Sequence, residues 1–106
     1  MRLHELAHAR AGDKGNTSDI SVIAYAPGDY EFLRQQVTAE RVREHFADIA
    51  PGLVRRYELP RLHALKFVLP DALGGGATST LNVDVHGKSL GSCLLEMELP
   101  ERQEPR

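Results

Sequence analysis

Apolar residues recur along this chain with two different periods. Residues 3–9 alternate, which predicts a strand with His4, Leu6 and His8 on one face. Residues 19–26 alternate again, Ile20, Val22 and Ala24 against Ser21, Ile23 and Tyr25, so a second strand with a buried face is expected. Pro27-Gly28 ends it, and Asp29 is placed to cap a short helix carrying Tyr30, Leu33 and Val37. Thr38 caps a clearer helix over residues 39–49, with Val42, Phe46 and Ile49 in one apolar stripe. Glu40, Arg41, Arg43, Glu44 and Asp48 make its solvated face, His45 abuts the stripe as a structural residue, and Pro51-Gly52 terminates it.

The second half is less regular. Residues 53–59 read as a strand, with Val54 and Arg56 alternating against Arg55 and Tyr57. Over residues 60–73, Leu62, Leu65, Leu69 and Leu73 fit a helix that Pro70 would interrupt; a strand over 65–69 competes with it. Residues 80–85 alternate, and His86-Gly87-Lys88 reads as a hairpin turn. Residues 90–99 then read as the returning strand, with Cys93, Leu95, Met97 and Leu99 inward. About five strands with two or three helices between them predict an α+β sandwich, helices on one face of a mainly antiparallel sheet, in a ferredoxin-like topology.

Length and charge narrow the class. The chain has 106 residues, which suits one domain over residues 1–99 with a polar tail at 100–106. An apolar fraction of 42% with 26% charged residues is that of a soluble globular protein. The net charge is −2 and the basic residues are scattered, which argues against a nucleic-acid footprint; with no Trp, base-stacking platforms are unexpected too. No apolar run approaches the ~20 residues that cross a bilayer, and the first residues lack the apolar core of a signal peptide. Cys93 has no second cysteine to pair with and sits among apolar neighbours, so a packed thiol is expected. A cytoplasmic protein without membrane or nucleic-acid partners follows.

Chemistry concentrates between Ala7 and Ser18. His8 and Arg10 are two apart, so an extended strand would aim both to one side. Asp13 and Lys14 lie between Gly12 and Gly15, and Asn16 follows. Glycines permit a tight turn and close approach to a ligand, and successive backbone N–H groups of residues 12–16 could cradle an anion. Arg10 and Lys14 would hold a carboxylate or phosphate, His8 would serve as general acid or base, and Asp13 would orient a partner. A charged surface turn, with Asp13 and Lys14 paired, explains the same residues. His4-Glu5-Leu6-Ala7-His8 also spells the helical zinc-protease pattern, but no amphipathic helix surrounds it and Gly12 follows closely, so no metal is assigned. Gly74, Gly75 and Gly76 are a second candidate ligand or partner contact, or a flexible connector. His63 and His86 read as ordinary loop histidines.

Three segments together carry a family resemblance: residues 8–16 (His-Ala-Arg-Ala-Gly-Asp-Lys-Gly-Asn), Tyr57-Glu58-Leu59-Pro60, and Ala72-Leu73-Gly74-Gly75-Gly76. They resemble the small C-terminal domain of the AtuA-like proteins, the acyclic terpene utilisation family, over about residues 3–99. The resemblance implies a ferredoxin-like fold, found either behind a much larger domain or as a separate short chain, the form this sequence looks like. It also implies a role in bacterial breakdown of acyclic terpenoids or other carboxylic acids, at the acyl-CoA level. The matching motif residues are His8, Arg10, Gly12, Asp13, Lys14 and Gly15; Ala11 stands where the family usually has Ser, so no nucleophile is assigned here.

Three functions are consistent with this sequence. The chain could be an accessory subunit, not catalytic alone, that docks on a large AtuA-like subunit through a sheet edge or the Gly74–Gly76 loop. It could be a self-contained module for an acyl-CoA or carboxylate ligand. It could be a homo-oligomer that pairs sheets between copies. None of the three calls for a cofactor.

Overall fold

A computed structural model describes residues 1–14, 17–47, 53–69 and 90–101, with the side chains of Asp13 and Lys14 outside that description. Its elements run β1 (Ala7–Lys14), β2 (Thr17–Ala24), α1 (Tyr30–Gln36), α2 (Ala39–His45), β3 (Arg55–Leu59), β4 (Ala64–Leu69) and α3 (Leu90–Leu94). The four described strands form one sheet in the order β1-β2-β4-β3, antiparallel at every junction. The fold class is the expected α+β, ferredoxin-like arrangement, with four strands described where about five were expected.

The period-2 pattern of β2 organises the sheet. Ser18, Ile20, Val22 and Ala24 are buried, while the residues between them are half-buried. The register places Ile20 opposite Phe67 and Val22 opposite Leu65, so β4 extends the same apolar face. Leu33 of α1 and Val37 just after it, Val42 of α2 and Phe46 just after it, and Leu94 of α3 join these strand residues in one cluster. The described helices therefore cover one face of the sheet, and β2 and β4 show their other face half-open, as antiparallel sheets can.

Local chemistry sets the helix ends. Thr38 caps α2 as expected: its hydroxyl accepts from the Arg41 backbone N–H at 3.1 Å. The C-terminus of α1 is finished from another element. Arg56 of β3 donates to the carbonyls of Arg34 at 2.6 Å and Val37 at 3.1 Å, and to Glu58 at 2.8 Å. The last carbonyls of a helix have no partner within it, and a guanidinium suits both their hydrogen bonding and the negative end of the helix. His45 ties α2 to α3, its Nε2 lying 2.7 Å from the Cys93 carbonyl.

The sequence-based expectations require four corrections. Residues 3–9 are not one strand. Leu3–Glu5 is a 3-10 turn, bound through Leu3 N–H to the Met97 carbonyl and His4 N–H to the Leu95 carbonyl, and the strand starts at Ala7. His4 and His8 thus share no helix. The second helix ends at His45, and Ile49 lies outside the described residues. The helix expected over 60–73 is instead a 3-10 turn, Pro60–Leu62, followed by β4, so the competing strand is correct. Leu62 is 64% exposed, whereas Phe67 is fully buried. Residues 90–99 are not a returning strand: α3 comes first, and only Glu98 makes a bridge, to Arg2. Met97 and Leu99 are buried as expected, whereas Cys93 and Leu95 are only half-buried. The strand over 80–85, the turn at 86–88 and the tail from 102 fall outside the described residues.

His63 has a structural role that its loop position hid. It takes the left-handed conformation, φ 53°, between the 3-10 turn and β4, and its carbonyl accepts from Ala24 N–H at 2.9 Å. Its ring meets the edge of Tyr30 at 6.1 Å. The Tyr30 hydroxyl is buried without a hydrogen-bond partner among the described residues.

Phe67→Ala should destabilise the protein by about 3–5 kcal/mol in urea unfolding. Leu62→Ala should cost less than about 0.5 kcal/mol, the reverse of what a 60–73 helix would require. Burial, then the nearby Glu58 charge, raises the Tyr30 phenol above its ordinary value of 10.0. The fold thus favours the neutral phenol: its contribution is complete below the unfolded value and is lost as pH rises through the folded one. Tyr30→Phe should therefore blunt the loss of stability above pH 10, and at neutral pH be neutral or stabilising by up to about 1 kcal/mol, since no hydrogen bond is given up.

Candidate functional site

The motif stretch forms most of β1 instead of a loop. Gly12, Asp13 and Lys14 continue the strand, pairing with Asp19, Ser18 and Thr17. The glycine-rich segment therefore does not turn before residue 15, and the amides of residues 12–14 belong to a sheet strand. A Cβ on Gly12 would meet Asp19 Oδ1 at 3.5 Å, an ordinary contact, so the strand does not demand glycine there. Gly15, Asn16, Gly74, Gly75 and Gly76 lie outside the described residues.

His8 and Arg10 do share a face, and it is the face the helices leave open. Both are exposed, and the His8 ring stacks on Tyr25 with centroids 5.4 Å apart. The register extends the site across the sheet. Arg10 is opposite Ser21, Ser21 opposite Lys66, and Lys66 opposite Tyr57, one row through all four strands. The next row is Gly12, Asp19, Val68 and Arg55. Adjacent strands lie about 4.8 Å apart, so these side chains form one continuous surface.

Arg34 hydrogen-bonds Glu31, which holds that carboxyl below its usual range, and Arg56 is bonded to Glu58. On the open face Arg10, Arg55 and Lys66 make no ion pair among the described residues. Asp19 is the one carboxylate in the two rows named above. Such a surface can bind anions or carboxylates.

Lys66, Arg55 and Tyr57 were missed as site residues by sequence reasoning. Lys66 sat inside the expected helix, with no reason to join Arg10. The available signal was the strict alternation of Leu65, Phe67 and Leu69 around it.

These observations define the class: an α+β domain of ferredoxin-like type with a sheet covered on one side. The family model described as the AtuA ferredoxin-like domain matches residues 1–100, and the chain belongs to that family. Neither the curated proteins nor the solved structures gave a match. No helix among the described residues is long and apolar enough to cross a membrane, and no group of three or more His, Cys, Asp or Glu among them could hold a metal ion.

Arg10 is exposed, Lys66 is half-buried, and neither makes an ion pair among the described residues, so Arg10→Ala should change unfolding free energy by less than about 0.5 kcal/mol and Lys66→Ala by less than about 1 kcal/mol. Chemical denaturation of the two variants checks this, and establishes them as probes of binding instead of folding.

Proposed function

We propose that this AtuA-like domain acts as an accessory subunit of a large AtuA-like protein, in breakdown of terpenoid or other carboxylic acids at the acyl-CoA level. The observation that supports it most is the half-open second face of the central strands β2 and β4, bordered by exposed Arg10, Arg55 and Tyr57. A domain that buries one sheet face and leaves the other displaying cationic and aromatic side chains is suited to completing a larger surface. The proposed setting is the cytoplasm, in keeping with a single cysteine.

A second reading has its own support. Arg10 and Lys66 flank Ser21 in one row, with His8 on the same face. A carboxylate or a phosphate of coenzyme A fits two cations and a hydroxyl. In this reading His8 and Asp13 are the candidate acid–base residues, and Lys14, Gly15, Asn16 and the Gly74–Gly76 loop would hold the ligand.

Titration calorimetry with acyl-CoAs separates the two. The accessory reading expects no heat with the isolated chain and binding once the large subunit is present. Saturable binding to the isolated chain, weakened about tenfold or more by Arg10→Ala, would instead establish the self-contained module.

A further inference from the structure

An antiparallel sheet face that meets only water normally carries polar side chains, with cross-strand charges of opposite sign. The open face here departs from that in two ways. Its rows place apolar Ile23, Val68 and Leu59 among the polar residues, and its cations Arg10, Lys66 and Arg55 make no ion pair among the described residues. The whole chain is acidic, at −2, so this positive surface is set against the sign of the rest. Tyr57, 48% exposed, sits at the end of the Arg10–Ser21–Lys66 row. Arginine and tyrosine among apolar residues are the composition of a protein–protein contact.

We infer that this open sheet face is the docking surface of the domain, and that its partner is an acidic patch on a separate, larger protein, with carboxylates placed to meet Arg10, Lys66 and Arg55. This rests on the accessory reading above. Charge complementarity selects that occupant over the others. A nucleic acid would need several phosphates neutralised together and aromatic platforms for its bases; the three rows offer the cations Arg10, Lys66 and Arg55, the carboxylate Asp19 and one tyrosine. Among the described residues a second copy offers mixed charge in place of an acidic patch: Glu31, Glu58 and Glu98 are engaged with Arg34, Arg56 and Arg2, and Glu40 and Glu44 of α2 are interleaved with Arg41 and Arg43, so self-association of the isolated chain lost in Arg10→Glu with Lys66→Glu would overturn the inference. Opposite charge across the contact would guide approach and fix orientation, with the apolar residues between the cations excluding water.

The test mixes the purified full chain with a purified large AtuA-like subunit and measures affinity at several salt concentrations. Binding should weaken as salt rises. Arg10→Glu with Lys66→Glu should weaken it on the order of 100-fold, because like charges then face each other. A zero-length carbodiimide cross-link should join Lys66 to a partner carboxylate. If the charge reversals disturb folding, Arg10→Gln with Tyr57→Ala, on the same face, should still lose about tenfold. A complex indifferent to all of these changes overturns this surface while the accessory reading stands. No complex at all overturns both. Binding of coenzyme A or single-stranded RNA to the isolated chain, abolished by the same variants, also overturns the inference, since the face would then serve a different anion.

Discussion

The pairing of β2 with β4 is the contact on which the rest of the structure depends. It sets Ile20 against Phe67 and Val22 against Leu65, and these four fully buried side chains form the floor on which the described helices pack. Because side chains alternate strictly along a strand, the same register also decides what the opposite face must show. Ser21 and Lys66 share a row for the same reason that Val22 and Leu65 share the core. A slip of one residue would exchange the apolar floor with the cationic surface.

The edges of this arrangement are closed by polar contacts from distant parts of the chain. Arg56 faces the helix side of β3 and satisfies carbonyls at the end of α1, so the outermost strand holds the first helix in place. The chain ends are joined similarly: the 3-10 turn at Leu3–Glu5 is bound by carbonyls of Leu95 and Met97. Both contacts span long sequence separations and lie on the covered side or rim. Among the described residues, Arg10, Arg55 and Lys66 of the open face take no part in these contacts.

The chain belongs to the AtuA ferredoxin-like family, and its motif lies in a strand. His8, Arg10, Gly12, Asp13 and Lys14 of the motif form one strand at the border of the sheet. Read as a loop, the motif would hold a ligand with its own amides. As a strand, it contributes two side chains to a surface that three other strands complete.

The sequence by itself determined β2, both helix starts near Tyr30 and Ala39, the Thr38 cap, and the shared face of His8 and Arg10. In each, a local periodicity or a side chain within three residues carries the information. The segment at 60–73 is ambiguous because its leucines satisfy both periods, whereas 90–99 reads as a strand because Cys93, Leu95, Met97 and Leu99 alternate, although Leu90–Leu94 forms α3 in the fold. Leu62, Leu65 and Leu69 fit a helix, yet Leu65, Phe67 and Leu69 also alternate. Only pairing on both sides, with β2 and with β3, decided for the strand, since a central strand gains two ladders of hydrogen bonds that a lone helix over Pro60 and Pro70 cannot match. The meeting of Arg10, Lys66 and Arg55 was likewise decided by tertiary structure alone. Their separation in sequence is bridged by strand register, a long-range property that no local pattern contains.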